Sequence, residues 1–206
     1  MIDIEKNWTE IKGELFPTQR DGMNELIDYL EKKTDFKTAV ASTKFHLSVV
    51  GGLAQHSLNV LKYARLVNKE LNLNITDDSL AIVSLLHDLC KTNYYIKGWE
   101  WDKEIKEATG KWVKKDTWKV EDKLPLGHGE KSLVLIIRFI PLNTEEMCAI
   151  RHHMGFSDPG TQFNYPLGFP FRESLNKYPL VKVLMIADQL AEFSEANDNE
   201  KTVPSM

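Results

Sequence analysis

Apolar residues along this chain recur mainly at helical spacing, and the strict alternation of half-buried strands is scarce. Met23, Leu26, Ile27 and Leu30 fall on one face of residues 20–33. Gly51 and Gly52 then break the pattern ahead of a long helix striped by Leu53, Val60, Ala64, Val67 and Leu71. Asp77, Asp78 and Ser79 predict an N-cap and acidic first turn for a helix from Leu80 to Lys91. That helix is apolar nearly all round, which predicts a central position. Further helices are predicted from Gly129 to Ile140, from a Thr144 cap to just before Gly155, and from Pro179 onward. The last carries Leu180, Val181, Leu184, Met185 and Leu190.

Two stretches depart from this pattern. Residues 92–127 hold Trp99, Trp101, Trp112 and Trp118 among lysines and acids. Ala108-Thr109-Gly110-Lys111 predicts a hairpin turn there, with Val113, Trp118 and Val120 in short strands. The tryptophans read as a small satellite core, the alternative being a base-stacking cover over a site. Residues 156–178, rich in Gly, Pro and aromatics, read as a long ordered loop of the kind that walls an active site. The predicted fold is therefore all-α, with a small β-hairpin or loop insertion around 94–122. One domain spans 1–206, with an N-terminal helical extension over 1–44, a core over 45–193 and a frayed polar tail over 194–206.

Composition narrows the classes. With 206 residues, 42% of them hydrophobic and 27% charged, the chain can bury a sizeable core and is not a disordered sequence. No apolar run is long enough to cross a membrane; the best, Leu133 to Ile140, is short and interrupted by Arg138. The N-terminus is acidic and polar, unlike a signal peptide. Cys90 and Cys148 form no C-x-x-C pair and read as small core residues. A cytoplasmic protein that binds no membrane is expected. The net charge of −4 offers no surplus of Lys and Arg, so duplex nucleic acid is an unexpected partner, whereas a small anionic substrate is compatible.

The six histidines supply the candidate chemistry. His56 shares the apolar stripe of its helix with Leu53 and Val60. His87 and Asp88 are adjacent in the most apolar segment, LLHDLCK; on a helix they would stand about 100° apart around its axis. His128 lies at a helix start in PLGHGEKS, His152 and His153 at a helix end in AIRHHMG, and Asp188 among apolar residues in MIADQLAEF. A lone core histidine needs no function, but an unpaired buried carboxylate costs several kcal/mol. Asp88 and Asp188 therefore call for compensating partners. Imidazoles and carboxylates converging from different helices make a mixed N/O site suited to Mn, Fe, Ni, Co or Zn.

The ordered set of His56, His87-Asp88, His128, His152/His153 and Asp188 resembles the HD-domain metal-dependent phosphohydrolases, over roughly residues 45 to 193. GGLAQHSLNV, HDLCK, PLGHGEKS and AIRHHMG are similar to a group of small bacterial and phage HD hydrolases. The resemblance implies an HD helical bundle and one or two divalent transition metal ions. His56, His87, Asp88 and Asp188 would hold the first ion. His128 and His153, with His152 as the alternative, would hold a second bridged by Asp88. Cys90 replaces the glycine of many relatives, and the resemblance implies a change in packing rather than in ligation. Lys91 would reach a phosphate.

Other residues carry two readings each. His46 is a substrate contact or a loop-facing polar residue, and Lys131 and Glu130 are an anion contact and a proton donor or a solvated helix start. Arg151 is a phosphate clamp or an exposed helix residue. His152, if not a ligand, would support the ligands from behind or face substrate, and either it or Glu130 would protonate the leaving group. The activity implied is hydrolysis of a nucleotide, cyclic nucleotide or short oligonucleotide phosphoester through a metal-activated water, with Asp88 catalytic. A di-iron HD-fold oxygenase and a non-catalytic nucleotide-binding HD module are the alternatives. A homodimer is left open.

Overall fold

The structure, a computed structural model, describes residues 2–158, 161 and 165–201. Helix α1, Ile4–Leu15, starts at an Asp3 cap that accepts from the Lys6 amide at 3.0 Å, and buries Trp8, Ile11 and Leu15 on one face. Helix α2, Met23–Lys33, buries Met23, Leu26, Ile27 and Leu30, the predicted stripe. Helix α3, Gly52–Glu70, follows Gly51, whose φ of 84° is a left-handed turn that glycine adopts without strain. Helix α4, Asp77–Leu86, is buried from Ser79 onward and packs against α1, α3 and two helices still to come, so it is central as its composition predicts. Its cap is Thr76 rather than Asp77, because Thr76 Oγ1 reaches the Ser79 amide at 3.3 Å.

The α4 segment differs from expectation in one consequential way. The helix stops at Leu86, His87 caps it, and Asp88 turns away with φ −103° and ψ 21° before a short 3-10 turn over Leu89–Lys91. His87 and Asp88 are therefore not two positions of one regular helix, and their angle about a helix axis does not set their geometry.

An antiparallel hairpin pairs β1, Tyr95–Trp101, with β2, Lys114–Val120, in the register Tyr95 to Val120 through Trp101 to Lys114. The expected turn at 108–111 is instead the end of helix α5, Lys103–Thr109, capped by Gly110. Asp102 starts it by accepting from the Ile105 amide. The tryptophans do not form a satellite core: Trp99, Trp101 and Trp112 are 43%, 49% and 55% exposed.

Helix α6, His128–Ile136, is shorter than predicted at its C-terminal end. Helix α7, Thr144–His152, is capped by Asn143, not Thr144, in a reciprocal capping box with Glu146. Glu146 is fully buried, where it meets Arg20 at 2.6 Å and the Ser79 hydroxyl at 2.7 Å. Within residues 156–178, read as a loop, Tyr165–Lys177 is helix α8. Its buried positions include Phe171 and Ser174, with Leu175 packed against the core. Of the residues that suggested a loop, Pro166 stands in the first turn, where a missing N–H removes little bonding, whereas Pro170 lies inside the helix and removes one backbone bond that the packing of Phe171 and Ser174 outweighs. Helix α9, Pro179–Lys201, runs along α3 and α7 and continues past Ser194, so the expected frayed tail does not begin there. Residues 202–206 of that tail lie outside the described residues.

Candidate metal centre

Six of the predicted residues meet where the ends of α4, α6 and α7 face α3 and α9. His56, from α3, is wholly buried, with Nε2 3.0 Å from Asp188 Oδ1 and 3.9 Å from Asp88 Oδ2. His87 Nε2 lies 3.5 Å from Asp88 Oδ2 and 3.8 Å from Asp188 Oδ1. On the other side of Asp88, Oδ1 is 2.7 Å from His128 Nε2 and 3.5 Å from His153 Nε2. Asp88 thus faces two sets of imidazoles with its two oxygens. His56, His87 and Asp188 lie close enough together for one shared ion, and so do His87, Asp88 and His153.

The ring orientations are fixed from behind. His87 Nδ1 donates to the Ser84 carbonyl at 2.8 Å, and His153 Nδ1 donates to the Ile150 carbonyl at 2.7 Å. Each bond is made across the last turn of the helix that ends at the histidine. Each leaves Nε2 as a bare acceptor pointing inward, and both Nε2 atoms are buried without a hydrogen-bond partner. An orphaned buried acceptor is costly. Two of them converging on a carboxylate fit a metal ion.

His56 is fixed by a carboxylate that sequence reasoning missed. Its Nδ1 lies 3.1 Å from both oxygens of Glu195, which also accepts from Asn59 Nδ2 at 2.8 Å. The network runs outward: Asn59 Oδ1 accepts from Gln55 Nε2 at 3.1 Å, and Gln55 Oε1 accepts from Asn7 Nδ2 at 3.0 Å. Every amide in this line has a matching partner, so α1, α3 and α9 together hold one imidazole. No local signal marks Glu195, because its partner lies 139 residues away.

Charge bookkeeping agrees with the ring orientations. Asp88, Asp188 and Glu195 are buried, and the ammonium facing them is Lys91, 2.6 Å from Asp88 Oδ2. One cation against three carboxylates leaves two negative charges, which a divalent ion or two histidine protons would match. Burial opposes ionisation of Asp88, but Lys91 and the neighbouring imidazoles outweigh it and hold the carboxyl well below its ordinary range. Burial likewise presses on Asp188, and the bond to His56 overcomes it.

The remaining predicted residues are placed otherwise. His152 turns away, its ring 5.6 Å from that of Phe171; burial and then Arg151 push it down to about 4. Of the adjacent pair, His153 is the one brought to Asp88. Lys131 is buried and held at 2.5 Å by Asp122, over the Tyr94 ring, so it is committed to the loop ahead of α6. Arg151 pairs with Glu130 at 2.5 Å and Asp158 at 3.0 Å, which engages the expected clamp and the expected proton donor with one another. His46 is buried beside His56, ring centroids 4.9 Å apart, and its Nε2 has no hydrogen-bond partner.

Access is uneven. His128 is the most open of the cluster histidines, with a third of its side chain exposed. A cavity of about 660 Å³ lies between Phe45, His46, Glu192 and Phe193, next to the His56 end. A larger cleft, about 810 Å³, separates the hairpin from residues 43–48 and is lined by Lys44, Lys97, Trp99, Lys115 and Trp118. Among the described residues, no helix is long and apolar enough to cross a membrane. Comparison of the chain with protein-family models, curated proteins and solved structures gives no match.

Proposed function

We propose that the protein is a metal-dependent phosphohydrolase of the HD type, acting on a nucleotide, cyclic nucleotide or short oligonucleotide. The observation that carries this reading is the pair of buried, unpartnered imidazole nitrogens, His87 Nε2 and His153 Nε2, aimed at the two oxygens of Asp88. His56, His87, Asp88 and Asp188 would hold one divalent transition metal, and Asp88, His128 and His153 a second. Such ions supply Lewis acidity, lowering the pKa of a water toward neutrality and drawing charge from phosphoryl oxygens.

The chain's own groups would do the rest. Asp88 would serve both sets of imidazoles, since each of its oxygens faces one of them. Lys91, mostly buried and paired with Asp88 at 2.6 Å, would meet a substrate phosphate only by leaving that pair, and an ammonium there offsets charge developing on oxygen. The carbonyl-anchored rings of His87 and His153 need no reorientation as substrate binds, which preserves the site's geometry. The hairpin cleft, with lysines beside tryptophan faces, supports a base-bearing anionic substrate, because indole stacks on any base and ammonium groups meet phosphate.

Hydrolysis of a phosphomonoester and phosphodiester panel, with Mn, Ni, Co, Mg and Fe added separately, tests the proposal. Metal-dependent turnover that disappears in Asp88→Ala supports it. Absence of turnover with every metal on a metal-retaining protein contradicts it; oxygen consumption by the iron form would then favour the oxygenase, and tight nucleotide binding alone the non-catalytic module.

A further inference from the structure

Four of the chain's five tryptophans lie in the hairpin and its connection, and three of them, Trp99, Trp101 and Trp112, are exposed. Tryptophans left in water together forgo the burial that usually places them in a core, so the cluster calls for an occupant. The strand register orders it. Tyr95, Lys97, Trp99 and Trp101 alternate along β1 and share one face, on which Trp118 stands opposite Lys97 and Lys114 opposite Trp101. Trp99 and Trp101 meet edge to face with centroids 5.4 Å apart, and Trp112 meets Trp101 at 6.1 Å. Lys114 Nζ lies 4.0 Å from the centroid of Trp99 and 6.0 Å from that of Trp101.

Charge and position narrow the occupant. The two strands carry Lys97, Lys114, Lys115 and Lys119 against Glu100 and Asp116, in a chain whose net charge is −4. Glu100 is paired with Lys44 at 3.3 Å, whereas Lys97, Lys114 and Lys115 have no ion-pair partner among the described residues. Glu104 and Asp116 also line the cleft beside the hairpin, so the positive excess there is small. Such a balance is poorly matched to a duplex, which presents one phosphate charge per about 1.7 Å. It suits a ligand held chiefly by stacked rings, with a few ammonium contacts to phosphate. β1 also begins four residues after Lys91, the partner of Asp88, and Tyr95 at its first position senses both charges. From there to Trp101 the strand runs about 20 Å away from the metal centre, the length of about three extended nucleotides.

We infer that the aromatic face of the hairpin is a stacking platform for single-stranded nucleic acid, and that the substrate is the end of such a strand rather than a free nucleotide. The inference deepens the phosphohydrolase reading and rests on it for the reaction, while binding of the strand stands apart from it. Bases would stack on Trp99, Trp101 and the half-buried Trp118, which accept any base because each has a π-face. Lys97 and Lys115 would meet the phosphates between them. Lys114 lies over a ring that a base would cover; its flexible, exposed stem lets it move aside and stay within reach of the adjoining phosphate. Duplex bases, already stacked on one another, would find no place on this face.

Fluorescence anisotropy of end-labelled oligothymidylate and oligouridylate of increasing length, titrated with the full chain without added divalent metal, tests this. Affinity is expected to climb with length to about four nucleotides and then level off. The tighter of the two polymers assigns the platform to DNA or to RNA. With two or three phosphates neutralised, the logarithm of affinity should fall against that of salt with a slope of about −1.4 to −2.1. Trp99→Ala should weaken an eight-nucleotide strand roughly 5–150-fold, and Trp99→Phe, which keeps a ring, should restore part of the loss. Melting temperature and metal content should stay unchanged in both, since Trp99 is exposed. Equal affinity for one nucleotide and for eight, binding of a duplex as tight as that of the single strand, or unchanged binding in Trp99→Ala would overturn the platform. So would self-association through the tryptophans with no strand bound, which would give the face to a second copy. In each case metal-dependent turnover of a mononucleotide would leave the hydrolase reading standing. Tight strand binding with no turnover under any metal would overturn that reading and keep the platform.

Discussion

Glu195 and His56 are 139 positions apart in the chain and 3.1 Å apart in the fold, and the carboxylate fixes which nitrogen of the ring faces Asp188. A carboxylate behind a histidine orients it and raises its basicity, and loss of such a partner typically lowers metal affinity 10–100-fold. Glu195→Ala is therefore expected to weaken metal binding by about that factor, as read by competition with a chromogenic chelator. Glu195→Gln, which can still accept from Nδ1, should recover part of it. Unchanged affinity in Glu195→Ala would remove Glu195 from the site.

The adjacent histidines separate cleanly. His153→Ala should lower the metal bound per chain and abolish metal-dependent turnover. His152→Ala, which removes a ring packed beside Phe171, should keep the metal stoichiometry. Elemental analysis of the two purified variants decides between them, and the reverse result would exchange their roles.

At Gly129, α6 lies directly against the backbone of α7. A Cβ there would collide with the carbonyl oxygen of Arg151, which belongs to backbone and cannot swing aside. Gly129→Ala should push α6 outward, carrying His128 from Asp88, at a cost of about 1–3 kcal/mol. A lowered melting temperature together with weaker binding of the second ion is the expected pair of results.

Protons and metal compete for the centre. Without metal, burial depresses His56, but the bonds to Asp188 and Glu195 outweigh it and hold it up to about 10. Burial also depresses His128, and the bond to Asp88 holds it up to about 9. Both titrate near 6.5 when unfolded, so the folded metal-free chain binds extra protons between those values. Their stabilisation is full below about pH 6.5 and is lost as pH rises through about 9 to 10. Metal binding displaces these protons, so affinity should rise with pH over the same interval. Melting curves of chelator-treated and metal-loaded protein should diverge most at the alkaline end.

Glu146 supplies a control away from the cluster. Its carboxylate joins Arg20, Ser79 and the Asn143 cap from a fully buried position. Removing one partner of a buried ion pair costs about 3–5 kcal/mol, somewhat less here because Arg20 is partly exposed. Glu146→Ala should lower the unfolding free energy read from urea denaturation by that loss, with metal content per folded chain unchanged.

Much of this arrangement is written locally. The apolar stripes of α2 and α3, the nearly all-round apolar surface of α4 and the histidines at helix ends are legible because helix periodicity and capping act over a few residues. Other features depend on distant partners. Glu195 looked like part of a polar tail until α3 supplied Asn59 and His56. Lys131 and Arg151 carry charges suited to phosphate, but charge alone does not reveal that Asp122 satisfies the first and that Glu130 and Asp158 satisfy the second. Asp88 leaves the helix because the chain turns at His87, and no residue near it signals a break in an apolar run. The helix over Tyr165–Lys177 is masked by Pro166 and Pro170, the second of which lies inside it and is tolerated because tertiary packing outweighs the lost backbone bond.

Metal stoichiometry of the chelator-stripped protein, re-equilibrated with manganese, cobalt or zinc and measured beside Asp88→Asn, tests the central claim most directly. One or two ions per chain in the wild type, with both diminished in a variant that keeps the shape of Asp88 but not its charge, is the predicted result. A wild type that takes up no ion, or an Asp88→Asn protein that binds as the wild type does, would contradict it.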